Sequence, residues 1–483
     1  MSSIAPEGAV TGTRYLESLR DGREVWYRGK RVRDVTRHPA LGEMARSIAR
    51  IYDLQSAPKT ADVMTFESEG RRFSCSYLLP RTRDDLLRRR RNSEIWVRES
   101  FGMMGRYSDF CASMLVGFYD VREELASLNP DLAANVTSYH SYARDQDLCL
   151  SHGLHDPTMD KSLRPEQDPD RCLRIVEERD GGLVVRGARF ATLAPFSNEI
   201  LVAPSYPLNE READHAIWFA IPIAWEGLKV LCRESFAEGR NRFDHPVSVR
   251  FDEQDALVVF DGVLVPWERV FLAREPAAAE RLFRRRVMAW ASYTSLTQLL
   301  GRLDLMIGTV HLLAETSGMS ERQDIQIEIG ELIAHTEMVR SALRAAEVDC
   351  LPTPGGLVSP APLAHVRCFL PIISERLVAI LEHVGTSSLV FLPTAEDLET
   401  PDIRGYIDRY FRGRGVPADK RVQLSKLAWE LTGDSYGGRQ QLYERLHAGD
   451  PKAITAGLYR LYDKTSAVEM VRRLLGWADE PSD

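Results

Sequence analysis

The sequence predicts an α+β protein in which a helical first third leads into a β segment and helices return for the rest of the chain. Three observations carry this prediction. Apolar residues recur every three or four positions through most of residues 14–147 and again from 279 onward, the spacing of one buried helix face. Residues 148–278 break into short runs rich in valine, isoleucine and aromatics, which read as strands. Glycines close the helical patterns, as they do at helix C-termini. We expect three domains: a helical domain over 1–147, a β domain over 148–278 and a C-terminal helical bundle over 279–483.

In chain order, RYLESLRDG, LGEMARSIARIYDLQ and DDLLRRRRNSEIWVRESFGMM are the helical patterns of the first domain. The run Arg88–Arg91 reads as the solvated face of the last of them. CLRIVEER, GLVVRGARFAT, EILVAPSYPL, HAIWFAIPI, LKVLCRESF and VSVRFDEQDALVVFDGVLVP follow as strands, with Asp180-Gly181-Gly182 as a hairpin turn between the first two. LTQLLGRLDLMIGTVHLLAETSG and HVRCFLPIISERLVAILEHVG are long helices with wide apolar faces, so the bundle is expected to pack against other subunits. CLPTPGGLVSPAPLAH, residues 350–365, interrupts two helices as a proline-rich surface loop.

Composition narrows the function. The 483 residues are 44% hydrophobic, and 62 basic against 70 acidic side chains leave a net charge of −8, which provides no electrostatic footprint for nucleic acid. The 7 cysteines never form a C-x-x-C pair, so neither a disulfide framework nor a zinc module is expected. MSSIAPEGAV lacks the basic start and apolar run of a signal peptide, and no apolar stretch reaches membrane-helix length. A cytoplasmic protein is the expectation.

Four stretches offer chemistry, each with a plainer alternative. FRGRGVPADK holds Gly413, Gly415 and Ala418 in a G-x-G-x-x-A spacing, but it follows a helical pattern and contains Pro417, so it reads as a loop and leaves no Rossmann site. LSHGLHDPTMDK sets His152 and His155 three apart beside Asp156 and Asp160; metal ligation needs a third ligand that the spacing does not fix, and hydrogen-bonded turn residues are the simpler reading. SYGGRQQLYE opens a helix with Ser435, Tyr436, two glycines and Arg439, which suits either a phosphate or an ordinary glycine break. GMMGRYSDF, 102–110, places Arg106 where neither a surface turn nor a core helix explains it. Thr192, in RFATLAPFSNEILV, is by pattern only a strand former.

These segments together resemble the oxygenase component of the 4-hydroxyphenylacetate 3-monooxygenase family, two-component FAD-using aromatic hydroxylases. The resemblance runs from TGTRYLESLRDGREVWYRGKRVRDVTRHPAL through HPVSVRFDEQDALVVFDGVLVPWERVFL to SYGGRQQLYE. It implies an acyl-CoA dehydrogenase-like fold with a middle β-barrel and a C-terminal four-helix bundle, assembled as a homotetramer. It also implies reduced FAD delivered by a separate NAD(P)H:flavin reductase, and O₂ as co-substrate. Reduced flavin and O₂ would form a C4a-hydroperoxide, which hydroxylates a phenol ortho to its oxygen.

Carried onto this chain, the family motifs G-R-x-x-D-[YF] and H-[AG]-x-x-x-P put Arg106 and His152 at the phenolic oxygen as catalytic residues, metals playing no part. A phenol ionises near pH 10. An adjacent arginine lowers such a pKa by roughly 1 to 3 units, and a histidine can take the proton. Flavin would lie on His152, Gly153, Leu154, Thr158, Met159, Asp160 and Lys161, with Thr192 at its N5 edge and Ser435, Tyr436, Gly437 and Gly438 as a second binding turn. Tyr107, Phe110, Pro204, Ser205 and Tyr293 complete the expected substrate contacts. Phe110 stands where members acting on 4-hydroxyphenylacetate have tyrosine, and Tyr293 is expected to restore a hydroxyl to the pocket. The phenol is therefore as well a tyrosine-like, halogenated or carrier-tethered one. Rival readings are an acyl-CoA dehydrogenase-like or dehydratase-like flavoenzyme on the same fold, and a non-catalytic flavin-binding partner.

Overall fold

A computed structural model describes residues 8–157, 160, 162–170, 172–204, 206–447 and 451–477. Helix boundaries follow side-chain signals. The helix Arg83–Glu99 starts at Thr82, whose side chain accepts the amide of Asp85 while Asp85 accepts that of Thr82, a reciprocal cap. It stops where Phe101 and Gly102 take φ values of 54° and 68°, the Gly102 amide closing back on the Val97 carbonyl. A Cβ on Gly102 would stand 2.2 Å from the Arg302 backbone nitrogen, so glycine lets this turn press on the long helix Met288–Thr316. The following helix, Ser108–Asp120, is buried along its whole length, and its entry carries Arg106 inward.

The arginine run is not a solvated face. Arg89 is buried and donates to the carbonyls of Ser76 (2.7 Å) and Leu78 (2.9 Å) and to Ser113 Oγ (2.7 Å). Only Arg91 of the four is exposed.

In chain order the strands are β1 (Val25–Tyr27), β2 (Lys30–Val32), β3 (Thr65–Ser68), β4 (Arg71–Ser74), β5 (Leu150–Gly153), β6 (Arg174–Arg179), β7 (Gly182–Thr192), β8 (Glu199–Val202), β9 (Ile217–Pro222), β10 (Leu228–Cys232), β11 (Asp255–Pro266) and β12 (Val270–Ala273). One sheet runs β2-β1-β10-β11-β7-β6 and another β12-β9-β8-β5. Strand β1 pairs in parallel with β10, so the mostly helical N-terminal region completes the larger sheet.

The expected middle β-barrel is overturned: these are two open sheets. Beyond β5 the chain touches the larger sheet through an isolated bridge between His155 and Phe190. Closure is not needed to bury the smaller sheet. Side chains alternate between faces along a strand, yet all of β8 and Ile217–Ile221 of β9 are buried, so both faces are covered. Trp218 shows how, stacking on Phe118 of the helix Ser108–Asp120 with ring centres 4.8 Å apart. The larger sheet leaves an edge in solvent, β6 exposing its last four residues. The α+β arrangement stands without the barrel.

In the C-terminal region the helix Met288–Thr316 packs against Gln323–Val348, Leu370–Gly385 and Ala418–Leu431. The proline-rich stretch is not a loose loop: Leu351–Pro352 and Val358–Ser359 form a small hairpin. Arg122 binds it through the Gly355 carbonyl at 2.7 Å, and Thr353 binds Asp120.

Candidate active site

Four segments converge: the turn before Ser108–Asp120, strand β5, the paired ends of β7 and β11, and the helix Ser435–Leu442 with the π-helical turn Tyr443–His447. Arg106 sits at their centre. Its backbone amide donates to Glu253 Oε1 at 2.7 Å and one guanidinium nitrogen donates to the Gly105 carbonyl at 2.7 Å. The guanidinium carbon lies 4.5 Å from the ring centre of Phe110 and 5.0 Å from that of Tyr443, a cation–π clamp. On β5, the buried His152 ring is 5.5 Å from the ring of Phe110. Phe110 therefore touches both residues expected at the phenolic oxygen.

Thr192 ends β7 opposite Asp255, the first residue of β11. Its hydroxyl is 3.0 Å from Asp255 Oδ1 and 3.1 Å from Tyr443 Oη. The two strands end abruptly here because Leu193 and Gln254 adopt φ values of 71° and 57°, a left-handed backbone that costs about 1–2 kcal/mol in a residue with a Cβ. Arg439 bridges Asp255 (2.5 and 2.8 Å) and Glu253 (3.1 Å), while Arg302 binds Glu444 at 2.9 Å. One charged network thus joins Thr192, Arg106 and the C-terminal segment.

Cations and carboxylates both crowd Arg106: beside the Glu253 contact, and against burial, Arg302 and Arg106 hold the Glu444 carboxyl below its ordinary value. Burial, Arg189 and Arg106 depress the His155 imidazole to about 4, which keeps it neutral. Burial, Arg106 and Arg284 lower Arg367 to about 10. Against burial, Arg439 and Arg233 hold the Asp255 carboxyl far below the usual range.

Among the other expected residues, Gly153 pairs with Val202 and lies close to Arg189, where a Cβ would come within 3.1 Å of the arginine's own. Leu154 is buried beside it. Pro204, two residues past the end of β8, is buried. Tyr107 is buried and stacks on Trp96, ring centres 5.2 Å apart. Asp160 is exposed and accepts the Ser162 amide at 2.9 Å. Thr158, Met159, Lys161 and Ser205 lie outside the described residues.

Two expectations change. Tyr293 does not restore a hydroxyl beside Arg106, because that hydroxyl is bound to Glu347 Oε1 at 2.7 Å and the Leu86 carbonyl at 3.2 Å. The turn at Ser435, Tyr436, Gly437 and Gly438 is not an open anion cradle. Asp434 already accepts the Tyr436 amide at 2.9 Å and pairs with Arg240 at 2.8 Å, so an acid occupies the helix N-terminus. The Tyr436 ring is buried toward the Phe251 carbonyl, and a Cβ on Gly437 would meet the Glu430 carbonyl at 2.7 Å. That glycine serves helix packing.

Residue pattern did not single out Tyr443, Glu253 or Asp255, and gave Arg439 only a phosphate reading. The available signal was the i, i+4 spacing of Arg439 and Tyr443, which shares one helix face, together with the acids of FDEQD at a strand start.

The donor set fits a flavin. Beside Thr192, the Gln254 amide is buried, and neither its oxygen nor its nitrogen has a hydrogen-bond partner among the described residues. An amide with one donor and one acceptor face unspent suits the alternating donors and acceptors of a flavin's pyrimidine rim. Among those residues no three His, Cys, Asp or Glu side chains group as a metal set.

Comparison with known proteins matches two family models: 4-hydroxyphenylacetate 3-hydroxylase N terminal over residues 11–272, and the C terminal over residues 279–476. The 4-hydroxyphenylacetate 3-monooxygenase oxygenase component of Thermus thermophilus is 34% identical over 473 residues, 97% of each chain. A crystal structure of such an oxygenase component, complexed with FAD and 4-hydroxyphenylacetate, superposes with a TM-score of 0.93 at 34% identity, covering 97% of this chain and 99% of that one. An archaeal 4-hydroxybutyryl-CoA dehydratase from N. maritimus, 20% identical, shares the fold alone, with a TM-score of 0.90 over 98% and 96% of the two chains.

Proposed function

We propose a function from one premise: this chain belongs to the 4-hydroxyphenylacetate 3-hydroxylase family. It is the oxygenase component of a two-component monooxygenase that uses FAD and O₂ to hydroxylate a phenolic substrate, with a separate flavin-reducing partner. Reduced FAD, when bound, supplies the activated oxygen that is transferred to the ring.

The chain's own residues prepare the phenol. Arg106 and His152 receive the phenolic oxygen, and the observation that carries this assignment is Phe110, whose ring is in contact with both the guanidinium and the imidazole. Arginine stabilises the phenolate and His152 takes the proton, so that a ring whose hydroxyl ionises near pH 10 reacts as the electron-rich anion. Hydroxylation then falls ortho to that oxygen. Phe110, buried against both, excludes water and orients the ring. Pro204 with Ser205 bounds the substrate, and His152, Gly153, Leu154, Asp160 and Thr192, together with Thr158, Met159 and Lys161, hold the flavin. Ser435–Gly438 backs this wall without binding phosphate.

Phe110 brings no hydroxyl to the pocket, which favours a phenol other than 4-hydroxyphenylacetate, free or carrier-tethered. The three domains divide at 147/148 and 278/279, and the enzyme works in the cytoplasm as a homotetramer. Support for assembly comes from the helix Thr465–Leu475, whose Met470, Val471 and Leu474 are 65%, 52% and 84% exposed, apolar surface that a solitary chain would leave in water. The test is oxygen uptake and product formation across a panel of phenols with a generic flavin reductase. Phenol-dependent coupled product supports the reading, and flavin oxidation that no phenol alters removes it.

A further inference from the structure

The Thr192 hydroxyl has one proton and two possible recipients, and the structure decides between them. Asp255 Oδ1 lies 3.0 Å away and Tyr443 Oη 3.1 Å away. Asp255 receives Arg439 at 2.5 and 2.8 Å and Arg233 at 3.0 Å. Two guanidinium groups on one carboxyl keep it ionised against the cost of burial, and an ionised carboxylate only accepts hydrogen bonds. The Thr192 proton must therefore point to Asp255. Tyr443 then donates to Thr192, and the hydroxyl keeps one lone pair and no proton for anything else.

We infer that Asp255 is a positioning residue that fixes the Thr192 hydroxyl as an acceptor toward bound flavin, biasing the site to the reduced form. This rests on the proposed placement of flavin N5 at Thr192. Reduced flavin carries a proton on N5 and can donate to that lone pair. Oxidised flavin presents a lone pair at N5, which meets the threonine oxygen without a proton between them. The preference for one redox state over the other is thus written into the ion pairs of Asp255. Strand pairing between Thr192 and Asp255, with left-handed Leu193 and Gln254 beyond them, holds the two side chains in register.

The experiment compares dissociation constants of dithionite-reduced FAD, titrated anaerobically, and oxidised FAD for the full-length wild-type protein and three variants. A net hydrogen bond is worth about 1 kcal/mol, a several-fold change in affinity. Thr192→Ala is expected to weaken reduced FAD about 5- to 10-fold while leaving oxidised FAD within about twofold. Asp255→Asn, whose amide can donate to Thr192 and free its proton, is expected to narrow the reduced-to-oxidised preference by a similar factor. Tyr443→Phe leaves Asp255 in place and should keep the preference. If Asp255→Asn does not fold, Asp255→Ser, whose hydroxyl can likewise donate to Thr192, takes its place. Equal weakening of both redox forms by Thr192→Ala would overturn the inference and leave the flavin site standing. No change in either form would overturn the flavin placement as well.

Discussion

The guanidinium of Arg106 lies over the ring of Phe110, 4.5 Å from its centre, on a side chain that also meets His152 at 5.5 Å. In the proposed reading, position 110 determines which phenol fits. Phe110→Tyr adds a hydroxyl at this contact, and we expect KM for 4-hydroxyphenylacetate to fall about 3- to 10-fold relative to more apolar phenols, one hydrogen bond's worth. Steady-state kinetics across a phenol panel measure it. An unchanged ranking would mean that the ring at 110 does not face substrate.

Glu253 ties the Arg106 backbone to Arg439 from a fully buried position. Glu253→Ala strands one charge-assisted contact on each side and should cost about 1–3 kcal/mol, read as a lower urea midpoint. Glu253→Gln keeps an acceptor and should recover part of that loss.

Stability should decline in mild acid. Burial, with Arg144 and Arg89 nearby, depresses His140 to about 3, and burial, Arg189 and Arg106 depress His155 to about 4. Both folded values lie below the ordinary histidine value, so the unfolded chain binds more protons and folding weakens as pH falls below about 6.5. For His140 alone the loss between pH 6.5 and 4 is about 3 kcal/mol. His140→Gln should flatten a urea-midpoint profile across that range. An equally steep profile in the variant would place the titration elsewhere.

The proposed homotetramer places an interface on the apolar face of Thr465–Leu475. Charging two exposed positions together, Val471→Asp with Leu474→Asp, should lower the particle mass measured by light scattering below that of the wild-type oligomer. An unchanged mass would remove this helix from the interface.

Much of the fold is legible in the sequence. Period located the helix Arg83–Glu99 and the strand β11, because the first buries residues three and four apart and the second buries alternate ones; Met288–Thr316 and β7 were legible as long apolar runs, being buried on more than one face. Period could not reveal whether the strands close, since a barrel and two covered open sheets demand the same buried residues. Nor could it place Arg89, whose burial depends on backbone carbonyls of another element. Motif carried Arg106 and His152 to one neighbourhood. It failed for Tyr293, which is adjacent by alignment but turned to Glu347, and it passed over Tyr443 and Asp255, whose roles include contacts with residues far along the chain, Thr192 for Tyr443 and Arg439 for Asp255.

The most direct test of the account is product formed per reduced FAD oxidised in Arg106→Ala, supplied with reduced FAD, O₂ and a phenol that the wild type hydroxylates. Loss of about two pKa units of phenolate stabilisation corresponds to roughly a hundredfold slower ring attack. The account predicts that oxygen consumption continues while hydroxylated product gives way to hydrogen peroxide. Product yield equal to that of the wild type would contradict it.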